Sequence, residues 1–235
     1  MEALDWRTLP EHWLPIAILA VGLLVLILGR VFRPVGFSYF EIALLVVVAP
    51  LLSEADVVFH TEGQTTLAFN VAGFLIPVLL VLKFMLEGKA PFLPTLGCFG
   101  IVTGVAYLSS FAVPNQGVLL YYRIPAAAAV VLAVVLRWGT WHQAGPMAYS
   151  AGALGVIVGA DALRLHELMS PAGSPHRIVI GGAGMMDGIF LVAALAVAGC
   201  LVVAQFHRSF TPRTRARRGP DQPAPVPPDS ASANP

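Results

Sequence analysis

The sequence predicts an all-α fold: a polytopic bundle of transmembrane helices with about seven spans. Composition is the first reason. Of 235 residues, 57% are hydrophobic and only 11% are charged, against roughly 25% charged in an ordinary soluble domain. Mean hydropathy is +0.78. A soluble fold of this size cannot hide that much apolar surface and keep a charged exterior. The second reason is spacing: the apolar residues fall into runs near the ~20 residues that cross a hydrocarbon core. Soluble enzymes, disordered chains and disulfide-rich secreted modules are excluded.

The runs are taken in order. The first, Trp13–Leu28, is uncharged until Arg30. It is not a cleaved signal, because Glu2, Asp5 and Glu11 stand where a basic segment belongs, and no small-x-small site follows. The second, Phe37–Leu52, is shorter and carries Glu41 near its start. Gln64–Leu82 and Phe92–Val113 are the third and fourth. Leu119–Leu136 is interrupted by Arg123. Pro146–Leu165 contains Asp161, and Ile178–Phe206 contains Asp187. Residues 1–12 are read as an external segment, 13–207 as the membrane domain and 208–235 as a tail. That tail is basic and then rich in Pro, Ala and Ser, so it cannot bury a core and is expected to be disordered.

Orientation follows from the loops. One side receives Arg30, Arg33, Lys83, Lys89 and Arg137, together with Arg208, Arg213, Arg215, Arg217 and Arg218 in the tail. The other receives only Arg7, Arg164 and Arg177. The N-terminus is therefore expected outside and the C-terminus in the cytoplasm, as in a multi-pass inner (plasma) membrane protein. The tail arginines suit anionic lipid at about 1 kcal/mol each. Nothing suggests nucleic acid as a partner.

Four polar side chains stand inside the spans. At 1.5 Å per residue, Asn70 lies about 10 Å in, Arg123 about 9 Å, Asp161 about 10 Å and Asp187 about 15 Å, all from the outer side. Ionisable groups at such depth face a bundle interior or a water cavity. Asp187 follows Gly181-Gly182-Ala183-Gly184-Met185-Met186 and precedes Gly188. Gly182, Gly184 and Gly188 weaken a helix by about 1 kcal/mol each relative to Ala, so a broken start to the seventh span is expected. Gly152, Gly155 and Gly159 suit close helix packing, and Asn70 with Gly73 and Pro77 suits a bend in span three.

Spans six and seven form a hairpin, which lets Asp161 and Asp187 face each other. Two close carboxylates share a proton. Three readings follow. An aspartyl-type hydrolase uses Asp161 and Asp187 as the catalytic acids on a membrane peptide. A proton- or cation-coupled transporter uses the same acids, with Arg123 as modulator, on a small solute. A non-catalytic scaffold uses them as ties, Asp161 to Arg164 or Arg123. Asn70, Arg123, Gly182, Gly184 and Gly188 are the supporting residues. The six histidines are scattered and the two cysteines, Cys98 and Cys200, sit in apolar runs, so no metal site is expected. No phosphate loop, dinucleotide fingerprint or haem pair points to a cofactor.

Gly155-Val156-Ile157-Val158-Gly159-Ala160-Asp161 and Gly181-Gly182-Ala183-Gly184-Met185-Met186-Asp187-Gly188-Ile189-Phe190-Leu191 together resemble the signature of a membrane family of bacteria and archaea. It is called domain of unknown function sixteen-fourteen. Phe69-Asn70-Val71-Ala72-Gly73-Phe74-Leu75-Ile76-Pro77 resembles the family's earlier block, with Ala72 in place of its first glycine. The resemblance covers roughly Leu67 to Val203 and implies membership without a reaction. Looser similarity to presenilin- and prepilin-peptidase-type intramembrane aspartyl proteases implies peptide cleavage by the two acids. There Gly182-Ala183-Gly184 stands two residues further from its Asp than in that class.

Overall fold

A computed structural model describes residues 13–62, 65–113, 117–169 and 176–210. The expected external segment 1–12, and the tail beyond residue 210, lie outside the described residues. Helix α1 (Trp13–Phe32) is a single apolar rod. A 3-10 turn over Arg33–Val35 follows and ends at Gly36, with φ at 95°. A Cβ there would run into the His142 carbonyl oxygen, so only glycine serves. Helix α2 (Tyr39–Ala43) opens with a capping box between Ser38 and Glu41. It continues through a π turn, Leu44–Val48, into α3 (Ala49–Leu51).

Strands β1 (Asp56–Glu62) and β2 (Thr65–Asn70) come next. A π turn over Val71–Leu75 leads into α4 (Ile76–Leu86). Helix α5 (Phe92–Leu108) is followed by strands β3 (Ser110–Val113) and β4 (Gly117–Leu120), then by α6 (Arg123–Leu136). Helix α7 (Trp141–Val156) is prolonged by a π turn, Ile157–Ala162. A short α8 (Leu165–Met169), strand β5 (His176–Ile180) and a 3-10 turn (Gly184–Met186) precede α9 (Gly188–Phe210).

Among the described residues the apolar helices form three long and four shorter rods. Three stretches are long and apolar enough to cross a membrane: Pro15–Val35, Trp141–Glu167 and Gly188–Phe210. They mark a membrane protein. Tyr39–Leu51, Val71–Leu86, Phe92–Leu108 and Arg123–Leu136 are shorter apolar helices.

The all-α expectation is corrected: two small sheets cap one end. β1 pairs antiparallel with β2, and β2 pairs parallel with β5. β3 and β4 form a separate hairpin. The first residues of spans three, five and seven, and the last of span four, are therefore extended rather than helical. The reason is local. Val57-Val58-Phe59, Thr65-Thr66 and Ile178-Val179-Ile180 are β-branched or aromatic, which favours a pleated chain. Hydropathy windows register such stretches only as apolar.

Helix α7 is the centre of the bundle. Ala, Gly and Ser make up half of it, and 13 of its 16 residues are buried. Small residues let neighbouring backbones approach closely. Gly152 faces Val192 and Ala193 of α9, while Cys200 Sγ sits 3.8 Å from the Ala144 carbonyl. Those contacts make α7 and α9 antiparallel. Gly155 and Gly159 meet Val102 and Thr103 of α5, with no space for a Cβ. The expected glycine packing in span six is thus present. Helix α1 is the opposite case: only 6% of its most apolar window is buried.

Candidate functional site

The sheet end carries most of the polar residues singled out from sequence. Asn70 is 1% exposed, and its side chain is fully engaged. Its amide donates to the Ser53 carbonyl at 2.7 Å and to Asp56 Oδ1 at 2.9 Å. Its Oδ1 accepts the Gly73 N–H at 2.8 Å, which caps the helical turn that leads into α4. Asp56 Oδ2 in turn accepts from Arg177 of β5 at 2.7 Å. One asparagine thus ties the β1–β2 hairpin, the third strand and a helix start together. Its role here is structural.

The glycines beside it explain the broken start of span seven. A Cβ on Gly73 would strike the Gly181 carbonyl oxygen, and one on Gly181 would lie 2.7 Å from the Gly73 carbonyl carbon. Gly181 and Gly184 have φ of 73° and 58°, conformations that L side chains rarely adopt. A Cβ on Gly184 would lie 2.9 Å from the Ser53 carbonyl oxygen. Gly188 rests against the Leu120 side chain at the end of β4. Gly182 is exposed, and a Cβ there would lie 2.9 Å from the Val179 carbonyl oxygen. The contact that locks the turn belongs to Gly73 and Gly181, which the sequence reading did not place among the site residues.

Asp161 sits in the π turn that prolongs α7, a feature often found at functional positions. Its Oδ2 is buried and has no hydrogen-bond partner. Asp187 lies at the head of α9, where its Oδ1 accepts the Ile189 N–H at 2.9 Å. That is a helix-cap bond. No hydrogen bond joins the two carboxyl groups. Strand β4 lies beside both: its Leu120 packs on Gly188, and β4 touches the π turn of Asp161.

The arginines do not serve Asp161. Arg123 is the first residue of α6 rather than an interior one, is exposed, and lies 5.9 Å from the Tyr122 ring centre. Arg164 donates to Ser110 Oγ and the Tyr107 carbonyl, each at 2.9 Å, and to Glu167 at 2.9 Å. Among the described residues neither arginine pairs with an aspartate of the spans. No group of three or more potential metal ligands occurs among them.

The opposite end holds a cluster the sequence reading left out. Glu41 is 0% exposed. It accepts from Ser38 and Lys83, and from Lys89 at 3.2 Å. Glu87 binds the same two lysines at 2.7 and 2.9 Å. Hydrogen bonds from Lys83 and Lys89 hold the Glu87 carboxyl below its ordinary range. Above the cluster, Phe37, Phe84 and Tyr149 pack edge to face with ring centres 5.1 to 5.9 Å apart. The available signal was Glu41 itself, a carboxylate in an apolar run that demands a cation.

No curated protein and no solved structure matches the chain. A family model described as "Protein of unknown function (DUF1614)" matches residues 24–198. The match takes in the Asn70–Gly73 block, the Asp161 turn and the glycine turn before Asp187. The chain belongs to that family.

Proposed function

We propose that the chain is a seven-span inner-membrane protein, N-terminus outside, whose sheet end hydrolyses a membrane peptide with Asp161 and Asp187. Seven successive rods and the skew of Lys and Arg toward the end opposite the sheets support the topology. The observation that carries the chemistry is the buried, unpartnered Oδ2 of Asp161. A buried carboxyl oxygen without a protein partner is costly unless it holds a proton or meets a ligand.

The two acids have different surroundings, which assigns their roles. Asp187, oriented by the Ile189 N–H, acts as the carboxylate that takes a proton from water as its oxygen attacks the peptide carbonyl. Asp161, protonated, donates to the carbonyl oxygen, giving a gem-diol. Asp187 then passes its proton to the leaving amine, the C–N bond breaks, and Asp161 recovers its proton from the collapsing diol. Nothing is consumed but water.

The test compares membrane peptides in cells that carry the native chain, Asp161→Asn or Asp187→Asn. Each variant is expected to lose cleavage of the same substrates by at least about a hundredfold. Unchanged cleavage by a folded Asp187→Asn protein refutes the hydrolase. Ion-driven solute flux in vesicles reconstituted with the native chain, without peptide loss, replaces it by coupled transport. Loss of folding in both variants, rather than of turnover, assigns the acids to a scaffold.

A further inference from the structure

The basic end has a cavity that the chemistry of the aspartates does not use. It measures about 330 Å³, and its lining includes Gly29, Arg33, Phe37, Ser38, Tyr39 and Lys89. It lies where α1 leaves the bundle. Gly29 of α1 meets the Tyr39 ring directly, so the foot of α1 forms one wall.

Charge at this cavity is unbalanced in one direction. Lys83 and Lys89 face Glu41 and Glu87, two cations against two anions. Arg33 lies outside that balance: it is exposed, lines the cavity, and makes no ion pair among the described residues. Lys89 retains 29% exposure beside it. Both cations thus face one space, and only Lys89 is neutralised. Guanidinium groups bind phosphate bidentately and are weakly hydrated, which suits a partly buried anion.

The walls specify more than an anion. Above the cavity the outer surface of α1 is apolar and bare, with Leu26 58% and Ile27 51% exposed. Beside it Tyr39 and Phe40 are 43% and 60% exposed. A phosphate in the cavity therefore adjoins a continuous apolar surface, the arrangement a phospholipid needs for its acyl chains. We infer that this cavity binds the headgroup of an anionic phospholipid, its phosphate on Arg33 and Lys89 and its chains along α1. A basic pocket between helices on the cytoplasmic side is a recognised setting for such headgroups.

The experiment uses the purified full chain, stripped of lipid in a neutral detergent. Thermal unfolding is followed while phosphatidylglycerol, phosphatidylcholine or inorganic phosphate is added, with native mass spectrometry counting retained lipid. Phosphatidylglycerol is expected to raise Tm saturably and phosphatidylcholine is not. Arg33→Gln is expected to raise the half-saturating phosphatidylglycerol concentration about tenfold, the loss of one charged hydrogen-bonding group. Arg30→Gln removes the same charge one turn earlier, outside the cavity, and is expected to leave it unchanged. Lipid-free Tm reports whether either variant still folds. An equal effect of the two substitutions means diffuse surface charge and overturns the site. So does the absence of any shift with phosphatidylglycerol. An equal shift with inorganic phosphate alone overturns the lipid assignment in favour of a free anion.

Discussion

Asn70 offers the most quantitative test of how the sheet end is held. Asn70→Ala removes the cap on Gly73 and both amide donations. The cap is worth about 1 kcal/mol. Each donated bond adds about 1 kcal/mol, since Ser53 O and Asp56 Oδ1 lose a partner at a site only 1% exposed. The expected loss is about 3 kcal/mol. Asn70→Asp separates the contributions. It keeps the acceptor for Gly73 but sets a carboxylate oxygen against the Ser53 carbonyl and against Asp56. At neutral pH it is expected to cost more than Asn70→Ala, about 3–5 kcal/mol, as an uncompensated buried charge. Acidification restores a donor on the new carboxyl and narrows that gap. Equilibrium unfolding in detergent, read by tryptophan fluorescence, measures both. An Asn70→Asp protein within about 1 kcal/mol of the native chain refutes the network, because a role confined to the Gly73 cap would survive that change.

Three further predictions concern other positions. Gly73→Ala or Gly181→Ala forces backbone apart and is expected to cost more than about 3 kcal/mol or to abolish folding. Gly97→Ala, with nothing within 4 Å of its Cβ, is expected to add about 0.5–1 kcal/mol of helix stability; the same unfolding measurement compares them. Glu87 has a lowered carboxyl, so its contribution is present above the ordinary value of 4.5 and is lost as pH falls below it. Being 38% exposed, it contributes at most about 1 kcal/mol. Glu87→Gln is expected to flatten the acid limb of a stability–pH curve by that amount.

Composition and run length were enough to read the membrane class, and three of the counted runs hold helices long and apolar enough to cross a membrane. Arg123 shows where depth arithmetic fails: counting 1.5 Å steps from a loop assumes a helix, and Gly117–Leu120 is a strand. The same assumption hid β2 and β5, whose apolar, β-branched residues look like span to a hydropathy window. Asn70 was picked out for being polar in an apolar run. Its task, capping a turn while bonding Asp56, depends on β1 folding back onto it. Gly73 and Gly181 were each visible, but their contact joins segments far apart in the chain, and no local pattern encodes it. Glu41 was legible as a charge in a span, and its partners Lys83 and Lys89 as loop lysines. Only the fold brings Glu41 of α2 to Lys83 of α4 and to Lys89 just beyond it.

The parallel pairing of β2 with β5 sets an order of events during synthesis. Thr65 pairs with His176, more than a hundred positions later. At roughly 5–20 residues per second, β2 waits roughly 5–20 s for that neighbour. Through that interval the edge of β2 that β5 will cover carries open backbone groups, and the hairpin is open to the wrong strand. Asp187 emerges seven residues after Ile180 closes the pairing with Phe69. Asp187 therefore enters the fold late, after every described helix except α9 has been made. Under the proposed reaction, a nascent chain that carries Asp161 without Asp187 has no activity toward the membrane it is entering.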